Sequence, residues 1–593
     1  MYPMRSVARA VEVLAAAGLL AWGTAVAAAP APAPAPADRG PIPPERRTTW
    51  NPGIPGGIPA VKQVHATIDA SRYGDGKADA TAAINDAIQA AGAVASAALG
   101  QVVVLPPGTY RTTGTINLNR SHVVLRGAGA KLTRIRLDSR ADVSVVRMGV
   151  FWPDYRPPVK VLGSVPKGSR SITVEDAGGI QVGDVLQLDQ LDDPKYVTIG
   201  DQIYGKRGPR ETDANGPSSP AGYRSVGQQV EVASKSGNTL GLSGPTHIAF
   251  DQAFSPEVFK TATARAGEPG TRYAGLEDLH VTGGNNNDVF VMNVAYGWIK
   301  NVESDGDPAA GPGMTGVHIA LFHAYRCEVR GSYVHHARSI VPGGGAYGIA
   351  LSNQSSDNLI EDNIARVLNK PIVVAGSGGG NVIAYNYVDD AFIASHASWQ
   401  ETAIDGNHGS FSHHDLFEGN YAANIGSDST HGNCGWQTFF RNYAPGMNGT
   451  VRRSNNIRAV GIDGFNREHN FVGNVLLQPG LVLNGVRPVY ESTSRATLGA
   501  PAVYRIGAGS LGGPIEKFDD GTALRMLLRH GNFDYVTNTT VWDPNIATRE
   551  LPPSLYLTAK PAFFGEELWP YVDPDRNPKV GVLPAKKRFD AMR

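Results

Sequence analysis

The chain has 593 residues, 41% of them hydrophobic, and its 54 basic and 54 acidic residues leave no formal net charge. That balance argues against nucleic acid or an anionic membrane surface as partner. Its 70 glycines point to many tight turns that need positive φ, and its two cysteines, Cys327 and Cys434, exclude a disulfide-stapled scaffold.

The N-terminus reads as an export signal over residues 1–27. Arg5 and Arg9 precede an uncharged run, Val13–Ala29, with an A-x-A cleavage site at Ala25-Val26-Ala27. The protein is therefore expected to be secreted or periplasmic, with no membrane span after signal cleavage. A Pro/Ala-rich linker follows over 28–60.

Residues 61–157 open the fold. Asp79-Ala-Thr81 starts a helix whose Ile84, Ala87, Ile88 and Ala91 keep helical spacing. Strand-like runs follow at Val102–Leu105 and Val123–Gly127, with a turn at Pro106-Pro-Gly108. The passage from Tyr73-Gly-Asp-Gly through Leu105-Pro-Pro-Gly-Thr-Tyr110 to Leu125-Arg-Gly-Ala-Gly129 resembles the entry segment of the pectate-lyase-type β-helix superfamily. The resemblance implies an all-β, right-handed parallel β-helix with an N-terminal cap helix. It is specific for fold and weak for activity, because the superfamily holds lyases, hydrolases, epimerases and phage tailspikes.

Residues 158–255 break the rhythm. Ser171–Val174, Val182–Leu188 and a hairpin from Val230 to Leu242 predict a small inserted antiparallel β module. The Gly- and Pro-rich loop at 200–225 reads as a surface loop.

The central β-helix is expected over 256–485. An apolar anchor followed three residues later by a small polar residue recurs at Trp298/Asn301, Val329/Ser332, Ile360/Asn363, Ile383/Asn386, Phe417/Asn420, Phe439/Asn442 and Phe471/Asn474. Successive polar positions lie 31, 31, 23, 34, 22 and 32 residues apart, the short intervals being minimal coils. The asparagines are read as a structural ladder. The repeat is lost after 485, and 486–593 reads as a C-terminal covering segment.

Chemistry concentrates where one motif occurs twice. Asp405-Gly-Asn-His408-Gly is followed by Asp428-Ser-Thr-His431-Gly, both acid and imidazole recurring after 23 residues. That interval predicts the second motif directly above the first, one strand spacing of roughly 4.8 Å away. Asp389, Asp390 and His413 complete the candidate catalytic set, and Tyr387, His396, Trp399, Trp436 and Arg441 the candidate substrate-binding set. Such a cluster suits hydrolysis of a glycosidic bond by paired carboxylates. The resemblance adds that Asp389-Asp390 ahead of Thr430-His431-Gly432 is similar in order to the motifs of polygalacturonase-type hydrolases, with the first Gly and the Arg-x-Lys absent.

The alternative is β-elimination on a uronic-acid polymer, with His413, His431 or Tyr387 as base and Arg441 on the carboxylate. The Lys or Arg base of calcium-dependent pectate lyases has no obvious counterpart, since residues 371–480 hold no lysine. No cofactor is expected; the alternative is a divalent cation at Asp405, His408, Asp428 and His431. The expected partner is a polysaccharide, and the rival from another class is a non-catalytic surface solenoid.

Overall fold

In the computed structural model, residues 40–592 are described apart from 140, 142, 150–157, 198–223, 262–269, 307–315, 341–344, 494–499 and 510–519. The export signal, the first third of the linker (28–39) and nearly all of the 200–225 loop lie outside the described residues.

The chain winds into a parallel β-helix with three long sheets of 12, 12 and 11 strands. The first sheet runs from Val64–Thr67 and Gln101–Val104 to Asn470–Val472 and Leu528–His530, one short strand per coil. The second runs from Gly108–Thr112 to Asn532–Asp534, and the third from Ile116–Leu118 to Ala502–Ala508. The core follows from the anchors. Ile299, Val329, Ile360, Ile383, Phe417, Phe439 and Phe471 pair in register and are buried. Phe417, Phe439 and Phe471 stack with centroids 4.6 Å apart. The first anchor is thus Ile299 rather than Trp298, which points outward in register with Glu328. Each such row buries apolar surface at roughly 25 cal/mol per Å².

The asparagine ladder forms from Asn363 onward, whereas Asn301 lies outside it, its side chain donating to Asp278 while Val302 holds the ladder position next to Ser332. From Asn363 to Asn386, Asn420, Asn442, Asn474 and Asn532, each side-chain N–H donates to the next carbonyl at 2.9–3.0 Å. Asn532 lies beyond the expected end of the repeat. Strands at Ala502–Ala508, Leu528–His530 and Asn532–Asp534 add a further coil inside the stretch read as pure cover. The 58-residue gap from Asn474 to Asn532 hides this coil from a search for short periods.

Residues outside the coils dress the solenoid. Thr81–Val94 forms a helix burying Ile84, Ile88 and Ala91 against the first coils. Six strands between Val159 and Lys260 make an antiparallel sheet. Residues 42–63 run along the outer face of the first sheet, where Trp50 donates to the His414 carbonyl and the Ile54 N–H to Glu328. The end of the chain, through the helix Pro584–Asp590, packs on the outer tyrosines of the second sheet, with Phe589 5.3 Å from Tyr387. Both cysteines are buried thiols, and Cys327 is a core residue as read from its strand.

Candidate functional site

The repeated motif falls on the third sheet, on adjacent coils as expected but two residues out of the expected alignment. Asp405, at the end of the strand Ile404–Asp405, is opposite Gly426 and not Asp428. Ile404 and Ile425 fill the core, so Asp405 is directed outward. A Cβ on Gly426 would come 1.8 Å from the Gly461 carbonyl, so that rung admits no side chain. The acid appears two residues later, where Asp428 leaves the strand Ile425–Ser427 and folds back. Its own N–H donates to Asp405 Oδ1 at 3.0 Å. The two motifs meet through this contact instead of by vertical stacking.

Lys370 holds the carboxylates together. Its Nζ is 2.5 Å from Asp405 Oδ2, 3.1 Å from Asp428 Oδ2 and 3.2 Å from Glu401 Oε1. A second chain of contacts leaves Asp428. Oδ2 accepts from His408 Nδ1 at 2.6 Å, and His408 Nε2 faces the Tyr347 hydroxyl at 3.0 Å. With Nδ1 committed to the carboxylate, Nε2 is the ring nitrogen that faces the phenol. His431 meets His408 edge-on at 4.6 Å. Trp399 donates its indole N–H to Glu401 Oε2 at 3.1 Å, placing an aromatic ring at the rim.

Burial sets the charges. Asp405 is fully buried and lies beside Asp428, and these two effects push its carboxyl well above the usual range despite the opposing pull of Lys370. Asp428, also buried, is instead held well below that range by His408 and Lys370. Lys370 is raised above its ordinary value by Asp405, Glu401 and Asp428, which outweigh desolvation. Burial pushes the Tyr347 phenol up to about 12, so it is protonated at neutral pH. The two neighbouring carboxyls are thus pushed in opposite directions, Asp405 up and Asp428 down.

Asp405, His408 and Asp428 offer ligand atoms all within 4.8 Å of one another. The bridging position between the two carboxylates is occupied by the Lys370 ammonium, so the fixed cation here is supplied by the chain. A divalent ion on those oxygens would have to displace it against Coulomb repulsion.

The other candidates sit elsewhere. Asp389 and Asp390 belong to the second sheet. Asp390 pairs with Arg366 and accepts from the Thr450 and Val451 N–H groups, while Asp389 accepts from the Gly449 N–H and the Tyr387 hydroxyl. They pin the 449–451 loop, and Tyr387 lies under the C-terminal helix, so the similarity in order to hydrolase motifs does not extend to placement. His413 is buried with Nε2 donating to the Gly227 carbonyl of the inserted module. Trp436 stacks on His414 at 5.1 Å and meets Tyr196 of the module edge-on. Arg441 donates to the Leu551, Pro552 and Val572 carbonyls, fastening the C-terminal segment. His396 is exposed, in the loop leading to Trp399 and Glu401.

Sequence reading missed Lys370, Tyr347 and the part played by Glu401. Lys370 stands immediately before a window without lysine and opens a wholly apolar strand, which is the signal that would have found it. Tyr347 is its partner in register one coil earlier, 23 residues away.

Residues 67–154 match the family model described as "Rhamnogalacturonase A/epimerase, pectate lyase-like". The match covers the cap helix and the first coils of the β-helix. No curated protein matches the sequence of this chain. Among solved structures it is similar to the tailspike gp61 of Pseudomonas phage phi297, at 13% identity and a TM-score of 0.45, over 82% of this chain and 80% of that one. The gp49 tailspike of Pseudomonas phage LKA1 follows at 14% and 0.38, over 71% and 69%. An alginate lyase from Paenibacillus sp. str. FPU-7 matches at 9% and 0.35, over 75% and 99%. Among the described residues no helix is long and apolar enough to cross a membrane.

Proposed function

We propose that this pectate lyase-like chain is an exported enzyme that cleaves a uronic-acid-containing polysaccharide by β-elimination, with Tyr347, His408 and Asp428 as the proton-transfer chain. The observation that carries the reading is the continuous line from carboxylate to imidazole to phenol, 2.6 and 3.0 Å in its two links. It builds a base from a group that is otherwise protonated at neutral pH.

Tyr347 passes its proton to His408 Nε2 as its oxygen takes the proton from C5 of the sugar. The imidazolium that forms is stabilised by ionised Asp428. The C5 electron pair then forms the C4–C5 double bond while the C4–O4 bond breaks. The departing O4 takes the proton now on Tyr347, and His408 returns its proton to the phenolate. His431, beside His408, is placed to donate a hydrogen bond to the uronate carboxyl as charge builds there. Lys370 and Asp405 form the buried base of the site and keep Asp428 ionised and oriented.

Hydrolysis is the second reading, favoured by one observation: the Asp405 carboxyl is pushed up where its neighbour Asp428 is held down. Against it, the ligand atoms of the two acids lie within 4.8 Å and share Lys370, leaving no room between them for a water and a glycosidic oxygen. An inverting mechanism needs carboxyls roughly 6.5–9.5 Å apart.

The test is incubation with a panel of uronic and neutral polysaccharides, following the ultraviolet absorbance of unsaturated products beside reducing ends. Both signals rising together, and both lost in Tyr347→Phe, is the expected result. Reducing ends without absorbance would establish hydrolysis, and neither signal on any polymer would favour the non-catalytic solenoid.

A further inference from the structure

At the turn entering the first sheet, one position recurs on successive coils with a positive φ: His122 at 61°, Tyr273 at 52°, Tyr296 at 59° and Arg326 at 53°. The strand register aligns them, since Gly275 pairs with both Val124 and Trp298. Their rings stack along the helix axis, His122 on Tyr273 at 5.3 Å and 12°, Tyr273 on Tyr296 at 5.0 Å and 10°. Tyr296 and Tyr325 are covered by the inserted module, through Glu231 and Ser243.

The first coil breaks the series. Gln101 pairs with Val123, so the residue below His122 is Gly100. Among the described residues the stack ends on one face of the His122 imidazole, with no ring beneath it. Beside that face opens a cleft of about 630 Å³, lined by Leu99, Gly100, His122, Tyr273, Trp298 and most of the strap between Ile54 and Gln63. Leu99 is 51% exposed. Burial and the nearby Arg272 hold the His122 imidazole below its ordinary pKa, keeping the stack's end neutral.

We infer that this cleft is a second saccharide-binding site, in which a pyranose ring takes the place of the ring that Gly100 lacks and lies on the open face of His122, with Tyr273 in the cleft wall beside it. The size suits a ligand site, and an unfinished aromatic stack offers apolar ring faces to the C–H face of a sugar while Lys62 and Gln63 at the rim offer polar contacts. The inference rests on the polysaccharide reading of the preceding section and adds where the polymer is also held. Five strand spacings of the first sheet separate the His122 coil from the coil that leads to Asp405. At ~4.8 Å each that is roughly 24 Å along the axis. One polymer chain can bridge both places, and its second contact is then intramolecular.

Binding is measured in the Tyr347→Phe background, so that no turnover is required, by calorimetry with a panel of uronic and neutral polysaccharides and their trisaccharides. Gly100→Phe supplies the missing ring; its Cβ would come 3.0 and 3.2 Å from the two Val61 methyls and 3.4 Å from the His122 carbonyl oxygen, so the Val61 side chain has to give by a few tenths of an ångström. Tyr273→Ala removes part of the wall instead. Both variants are expected to weaken long-polymer binding at least fivefold, leave trisaccharide affinity at the catalytic cluster unchanged, and keep a melting temperature within a few degrees of the parent. Unchanged polymer affinity in both variants, or no binding by any polymer, overturns the inference. Tight cleft-dependent binding by a protein without turnover on any substrate would uphold it while rejecting the catalytic reading.

Discussion

Lys370 Nζ lies 2.5 Å from Asp405 Oδ2, and both groups are almost wholly withdrawn from water. A buried charge pair contributes little net stability, but removing one partner strands the other. Lys370→Met leaves Asp405, Asp428 and Glu401 crowded together without their cation. It should cost about 3–5 kcal/mol in chemical denaturation. Lys370→Met/Asp405→Asn should recover a large part of that loss, because the raised carboxyl is the group the lysine most directly compensates. Equal destabilisation in the single and double variants would deny the coupling.

The chemical step should depend on the phenol. Tyr347→Phe and His408→Gln are each expected to lower kcat by about 10²–10⁴-fold with an unchanged fold by circular dichroism. The double variant should be little worse than either single, since the two act as one relay. Additive losses would mean that Tyr347 and His408 serve separate steps.

How much of this was legible from the sequence differs between scaffold and site. The ladder asparagines and anchors are local and periodic, so their offsets placed the coils to within a residue. The site depends on what each side chain does after leaving its rung. Asp405 and Asp428 do converge, but through a backbone N–H and an ammonium, and Gly426 occupies the place the 23-residue interval assigned to Asp428. Lys370 and Tyr347 carry no repeated motif. Arg441 and His413 fall within the right coils, yet they face a C-terminal segment and an inserted module whose docking no short-range pattern reveals.

Chelation separates the lysine-bridged cluster from a metal site. With Lys370 between the carboxylates, activity after extensive dialysis against a strong chelator should match the untreated enzyme, and added calcium, zinc or manganese should not raise it. Loss on chelation with recovery on one ion would assign Asp405, His408 and Asp428 to that ion.

Arg441 is assigned to the C-terminal cover rather than to substrate. Arg441→Ala strands the carbonyls of Leu551, Pro552 and Val572, at a cost of roughly 1–3 kcal/mol for each buried acceptor left unpaired. Proteolysis should open the 550–575 stretch first, while KM on polymer stays within about twofold of the parent, since the residue touches no part of the cluster. A large rise in KM with an intact C-terminus would return Arg441 to the substrate.

The inserted module should be the acid-sensitive part of the molecule. His413 is buried with its Nε2 on the Gly227 carbonyl, and His414 beside it faces Lys167 of the module at 2.8 Å. Desolvation lowers His413 to about 3 and drives His414 down as well, with Lys167 adding to both. An unfolded histidine titrates near 6.5, so the unfolded chain binds protons that the folded one refuses. The stability contributed by the neutral imidazoles is therefore present above about pH 6.5 and lost as the pH falls. For His413 alone the loss between pH 6.5 and 5 is roughly 2 kcal/mol, at 1.36 kcal/mol per pH unit. His413→Gln, which keeps a donor for Gly227, should flatten this acid limb in denaturation curves at pH 5 and 7.5. An unchanged slope would show that His413 already titrates in the folded protein and that its docking against the module is loose.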